Sequence, residues 1–518
     1  MPPAGRRQLL IFPESCHQHH GGAFGADITS RSYIFYWTFQ QKLYTIESII
    51  PLESVIIMEH KLERKYGLFT AICMVVGIVI GSGVFFKAQT ILSKTGGNMP
   101  LGILAWLIGG AIMLVCLLTF SFMGQKYERV NGLVDYAEAT VGSKYGYFMG
   151  WFLATIYFPG MTSALSWVTA RYTLEFIVSA NPNFPLSIPA SQGGCVIGPE
   201  CMALTLFFLC FVYCVNVLSP KLAGKLQTST TVIKLIPLGL MAVVGLIYGL
   251  ITGTLQENMT VAAQVSATSA HPMFAAVCAT AFAYEGWIIA TSINAEIKDS
   301  RKNLPRALII GGIIIVAVYL FYYIGVAGGA TNQELIDKGA TIAFTNIFGG
   351  FLGNVLNLFI AISCLGTANG LMLGCSRCMY SLAARGEGPN PDMFGQVDPK
   401  TNMPSNSAVF ALMASAIWFL YFYLSNLACT WSGPFVFDST ELPIITIYLM
   451  YLPILIQWMR KEKDQSILRR FVLPVLAFCG SVFMVIASIF SHGWGCLWYL
   501  IVFAVVMVIG AAVNKSGK

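Results

Sequence analysis

From Gly67 onward the chain repeats apolar stretches, each close to the ~20 residues that a helix needs to cross about 30 Å of hydrocarbon. Twelve are read, at about 67–93, 100–124, 147–178, 202–219, 231–252, 272–296, 307–329, 352–379, 406–424, 437–458, 471–490 and 495–513. A backbone inside lipid must satisfy its own hydrogen bonds, which leaves helices or closed barrels. Barrel strands are shorter and alternate in polarity, and these runs do neither. Composition agrees. Residues are 56% hydrophobic and 11% charged, whereas a soluble domain carries roughly a quarter charged residues. The expectation is an all-α polytopic membrane protein with twelve transmembrane helices.

Basic residues set the orientation. Lys61, Arg64, Lys65, Lys126, Arg129, Lys144, Lys221, Lys225, Lys298, Arg301, Lys302, Arg306, Arg385, Lys400, the Arg460–Arg470 cluster and the tail Lys515 and Lys518 fall on one side. The opposite loops hold Lys94 and Lys338. The positive-inside bias then puts both termini in the cytoplasm, and the plasma (cell) membrane is the expected location. The net charge of +7 is therefore topological, and a nucleic-acid partner is set aside. Residues 1–57, with Cys16 and the His17–His19–His20 cluster, differ from the rest and are read as a disordered extension from an over-called start. Residues 58–518 form the membrane domain.

Two spans carry residues that a lipid-facing helix would avoid. The first reads Gly77-Ile78-Val79-Ile80-Gly81-Ser82-Gly83-Val84-Phe85. Each glycine weakens a helix by about 1 kcal/mol relative to Ala, and the i, i+2 spacing does not match the i, i+4 packing of small residues. The sixth reads Phe282-Ala283-Tyr284-Glu285-Gly286-Trp287, where an acid at mid-membrane costs about 2.5–3.5 kcal/mol. A glutamate paired with a structural base is the plain alternative. A break beside a water-accessible cavity explains Glu285 and Gly286 together. Both places lie near mid-bilayer, in spans of opposite direction, which is the mark of a five-plus-five inverted repeat. Repeat one is read as about 67–252, repeat two as about 272–458, and 471–513 as accessory helices.

The backbone of such breaks dictates the ligand. Amides of Gly81, Ser82 and Gly83 at a helix start suit a carboxylate. Carbonyls of Phe282, Ala283 and Tyr284 at a helix end suit an ammonium. A ligand with both groups on one carbon is an α-amino acid.

On these two motifs, on Glu296–Ala307 and on Ser376–Gly386, the chain resembles the amino acid–polyamine–organocation (APC) superfamily of amino-acid permeases, within it the L-type amino-acid transporter (LAT) branch and its bacterial relatives. The likeness runs over about residues 58–515. It implies the LeuT fold, alternating access, the carboxylate and amino-group sites just named, and Phe282 as a gate. Lys234 by itself reads as a lysine near the cytoplasmic end of span 5 that snorkels to the surface. The resemblance implies instead that its ammonium replaces a sodium ion between the first and eighth spans, hence sodium-independent transport, by exchange or with a proton. Glu285 is read as a selectivity position with Trp287 beside it, either ionised to attract a cationic substrate or carrying a proton. Cys195 and Cys201 lie in the outer loop after span 3. One of them would join a single-span glycoprotein if the protein is animal; an internal bridge or two free thiols are the other readings. Arg171 and Glu175, at i, i+4, read as a structural pair.

The chain offers no nucleophile–base pair, no metal constellation and no phosphate-binding loop such as GxxxxGK[ST]. It is read as no enzyme, with no cofactor and no metal, whose partners are amino-acid substrates and the bilayer. A polyamine/amino acid antiporter of the same fold is the alternative. It would need several acids along the pathway, where Glu285 alone is visible.

Overall fold

The computed structural model describes residues 66–514 except 82, 128–131, 261–270, 289–296 and 432. The tail 1–57 with its histidine cluster therefore lies outside the described residues, as do Ser82 and Glu296. The described chain is helical, apart from one isolated bridge that pairs Tyr66 with Ile297.

The first apolar run is two helices, α1 (Leu68–Val79) and α2 (Gly83–Lys94), followed by α3 (Met99–Lys126) and the short α4 (Gly132–Thr140). Next, α5 (Ser143–Phe152) continues through a π turn at Leu153–Tyr157 into α6 (Phe158–Ala180). Then come α7 (Gly194–Leu218) and α8 (Pro220–Thr252). The sixth run yields α9 (Pro272–Tyr284), a 13-residue helix that stops at mid-run, and α10 is Ser300–Gly329. Beyond two short helices lie α11 (Gly350–Ala383), α12 (Ser405–Leu427), α13 (Leu442–Lys461), α14 (Leu468–His492) and α15 (Trp494–Val513). Nine helices among the described residues are long and apolar enough to span, or ten with the bent pair α1–α2. The expected third and sixth spans, α6 and α9, are not among those ten.

The π turn has a chemical cause. Pro159 has no amide to donate and its ring crowds the carbonyl of residue 155, so the ladder opens there. The Trp418 indole donates to that freed Thr155 carbonyl at 2.7 Å.

Burial separates the inner helices from the outer ones. In α11 the buried face runs almost unbroken from Ile360 to Ala383, and α11 packs along α6, α8 and α12. In α15 only Tyr499 and Gly510 are buried, as befits a helix bathed in lipid. Small and polar residues mark the inner seams. The Asn216 amide reaches the Asn369 side chain at 3.0 Å, and Asn369 donates to Gln227 at 3.2 Å. Such groups would be costly on a lipid face, so they sit where protein can satisfy them.

Several of the basic segments meet at one end. Lys126 pairs with Glu462 and Asp464, and Arg385 pairs with Asp135 and Glu138. The Gly388 amide donates to Asn514 at 3.0 Å, which puts the end of α15 there too.

Candidate functional site

Both expected breaks are present, and they touch. Helix α1 stops at Val79, Ile80 is extended (φ −71°, ψ 95°), and α2 starts at Gly83 on an axis bent by 48°. Helix α9 stops at Tyr284, Glu285 is extended (φ −81°, ψ 166°), and Gly286 follows at φ +104°. That last conformation suits glycine and strains any residue with a Cβ. A Cβ on Gly83 would lie 2.7 Å from the Ala283 Cα, so α2 can begin against the α9 backbone only because residue 83 has no side chain.

Each interruption leaves carbonyls without an intrahelical donor. The Tyr319 hydroxyl of α10 shares its single proton between them, lying 3.0 Å from the Val79 oxygen and 2.9 Å from the Ala283 oxygen. Lys234 of α8 serves the first break. Its Nζ donates to Gly77 O at 2.7 Å, Ile80 O at 2.5 Å and Thr367 Oγ1 of α11 at 3.2 Å. Its side chain is fully buried, so the snorkelling reading is corrected. Pro220–Thr230 looked like a loop because it is polar. It is the first part of α8, and it turns Gln227, Thr230 and Thr231 inward. Lys234 therefore lies well inside the bundle.

A cavity opens where the breaks meet, lined by Ile78, Val79, Gly81, Tyr157, Met161, Leu165, Phe282, Glu285, Gly286, Thr367 and Leu371. Its free volume is ≈ 20 Å³, room for a water molecule and too little for an amino acid. Glu285 is buried, accepts from the Tyr157 hydroxyl at 2.7 Å, and leaves its second carboxylate oxygen without a hydrogen bond. Phe282 forms part of the same cavity wall. Lys87 of α2 lies 5.2 Å above its ring and is ion-paired with Glu441 at the head of α13. The electrostatics are directional: the positive N-terminus of α2 and the negative C-terminus of α9 face the same small space.

Of the residues singled out from sequence, Gly81, Phe282 and Glu285 line the cavity, Gly83 and Ala283 form its backbone contact, and Ser82 lies outside the described residues. The side chains of Tyr284 and Trp287 point elsewhere. Tyr284 packs edge-on to Trp106 at 5.5 Å and donates to its carbonyl at 3.0 Å, which anchors the end of α9 to α3. Trp287, expected as a gate or selectivity residue, is fully buried between Phe120 (5.8 Å) and Tyr451 (6.2 Å) and is a core residue. Cys195 and Cys201 are both buried and form no bridge with each other. Arg171 and Glu175 do pair, at 2.7 Å.

Sequence reading missed Tyr157, Tyr319, Thr367 and the Lys87–Glu441 pair. Pro159 was the available signal for Tyr157, because a proline inside a span disturbs the preceding turn. Nothing local marks Tyr319, which is one of three tyrosines in a plain apolar helix.

Comparison with known proteins agrees with this architecture. In solved structures, the chain matches MhsT in complex with L-phenylalanine, with a TM-score of 0.56 and 14% identity, covering 83% of this chain and 99% of that one. This establishes the LeuT-type fold. Among curated proteins it is 28% identical to the serine/threonine exchanger SteT of Bacillus subtilis over 85% of this chain and 94% of that protein. It is 25% identical to the human Asc-type amino acid transporter 1, covering 84% and 79%. To the mouse large neutral amino acids transporter small subunit 2 it is 24% identical, covering 69% and 64%. The profile of the amino acid permease family matches residues 66–512. The chain is a multi-pass membrane transporter, not an enzyme, and belongs to the amino acid permease family of the APC superfamily.

Proposed function

We propose that the protein is a sodium-independent carrier of α-amino acids in the plasma membrane, working by exchange or with a proton, with twelve spans and cytoplasmic termini. One observation carries this reading. The Lys234 ammonium fills the crevice between the first break and α11, bonded to two backbone carbonyls and a threonine hydroxyl. Those are oxygen ligands of the kind that a hard cation would take, and a fixed positive charge there leaves no role for one. The substrate carboxylate meets the amides of Gly81, Ser82 and Gly83. Its ammonium meets the Phe282–Tyr284 carbonyls, and Phe282 with the Lys87–Glu441 pair covers it from outside. Serine/threonine exchange is the named activity of the SteT relative, which supports an exchange mode. Glu285 is the one carboxylate among the described residues lining the cavity, which weighs against a polyamine antiporter.

The test is uptake of labelled serine and other amino acids into proteoliposomes, with and without sodium, with and without internal amino acid, and across a pH step. Uptake is expected to persist without sodium, to rise when internal amino acid is present, and to be lost in Lys234→Ala. A strict requirement for sodium would overturn the reading.

A further inference from the structure

We propose that Cys278, Glu441 and His492 form a divalent transition-metal site of zinc type on the outer side of the bundle, through which external metal holds the carrier shut. The three come from three helices that no sequence spacing relates: α9, the head of α13 and the end of α14. Their ligand atoms all lie within 4.8 Å of one another. His492 Nε2 is 3.1 Å from Glu441 Oε2 and 4.0 Å from Cys278 Sγ. Zinc bonded at ~2.0–2.3 Å in tetrahedral geometry sets its ligand atoms ~3.4–3.7 Å apart, so shifts of up to about an ångström complete the site. A thiolate, an imidazole and a carboxylate together select zinc or cobalt over magnesium or calcium, and three protein ligands leave a fourth position for water.

The surroundings fit. Glu441 gives one oxygen to Lys87 and keeps the other on the site side, so Lys87 orients the ligand. Asp438 and Lys94 are the other charged groups close enough to act on the trio, and they carry opposite signs. His492 is partly exposed beside the Gly493 turn, which gives an entry path, whereas Cys278 and Glu441 are buried. On binding, the Cys278 thiol gives its proton to water, and His492 ligates through Nε2 with its proton on Nδ1. Cys278 lies one helical turn before Phe282, so metal at this place ties the segment that covers the cavity to α13 and α14. Opening toward the outside is then blocked.

The inference rests on the transport reading for its consequence but not for its site, and the experiment separates them. Purified protein titrated with Co²⁺ should show a near-ultraviolet thiolate-to-metal absorption band that is lost in Cys278→Ser. The Cys16–His17–His19–His20 run is retained in both proteins, so the difference reports Cys278 alone. In proteoliposomes, external Zn²⁺ should inhibit uptake, chelator should restore it, and Cys278→Ser or His492→Gln should each raise the half-inhibitory concentration by about tenfold or more. An unchanged Co²⁺ spectrum in Cys278→Ser would overturn the site. A Co²⁺ band with zinc inhibition equal in wild type and both variants would overturn its control of the gate.

Discussion

At the scale of single residues, two charges sit where the bilayer would be hostile, and each is explained by what it touches. Lys234 is surrounded by oxygens that its own position in α8 brings to the break. Glu285 has one carboxylate oxygen occupied by Tyr157, and the other is buried without a hydrogen-bond partner. That second oxygen can accept from a substrate side chain or hold a proton. A hydrogen bond to a charged group is worth about 1.5 kcal/mol, roughly tenfold in affinity. Glu285→Gln is therefore expected to shift the ratio of cationic to neutral amino-acid uptake by about that factor, or to flatten the pH profile if the group carries the coupled proton. Competition assays across pH read both. If neither changes, Glu285 serves only to hold Tyr157.

The two broken helices set the scale of elements. Their contact depends on a missing Cβ at residue 83 and on one shared hydroxyl at residue 319. Gly83→Val should abolish uptake while the protein still reaches the membrane, because the added atoms meet the backbone of α9 and not a movable side chain. Tyr319→Phe keeps the ring against Trp106 and Tyr284 but leaves the Val79 and Ala283 carbonyls without their donor. A loss of about 1–3 kcal/mol is expected, read as a lower melting temperature with the fold retained. Wild-type melting in Tyr319→Phe would mean that water replaces the hydroxyl. The breaks themselves were legible in the sequence, since glycine and acid at mid-span have few other uses. Their partners were not. Tyr319, Thr367 and Tyr157 are ordinary in their own helices and gain meaning from what crosses them.

For the whole molecule, the ends are chemically distinct. Ion pairs of Lys126 and Arg385 gather one end, and the Lys87–Glu441–His492 group closes the other. Cys429 is exposed in the turn between α12 and α13, on the end away from Lys400. A membrane-impermeant maleimide added to intact cells should label Cys429 and leave Cys429→Ser dark at that site. A cysteine placed by Lys400→Cys should react only after permeabilisation. The reverse pattern would invert the proposed orientation.

The sequence alone determined that this chain is helical, that it lives in a bilayer and where two of its helices fail. Each of those follows from transfer free energy or local backbone preference, and both are properties of short segments. Only the tertiary structure decided that Lys234 turns inward, that Trp287 is core, that Cys195 and Cys201 are buried, and that Lys87, Glu441, His492 and Cys278 meet. Those outcomes depend on which helix faces meet across long separations. In a membrane that choice is made by packing and hydrogen bonding between helices, because apolar surface is equally at home against lipid.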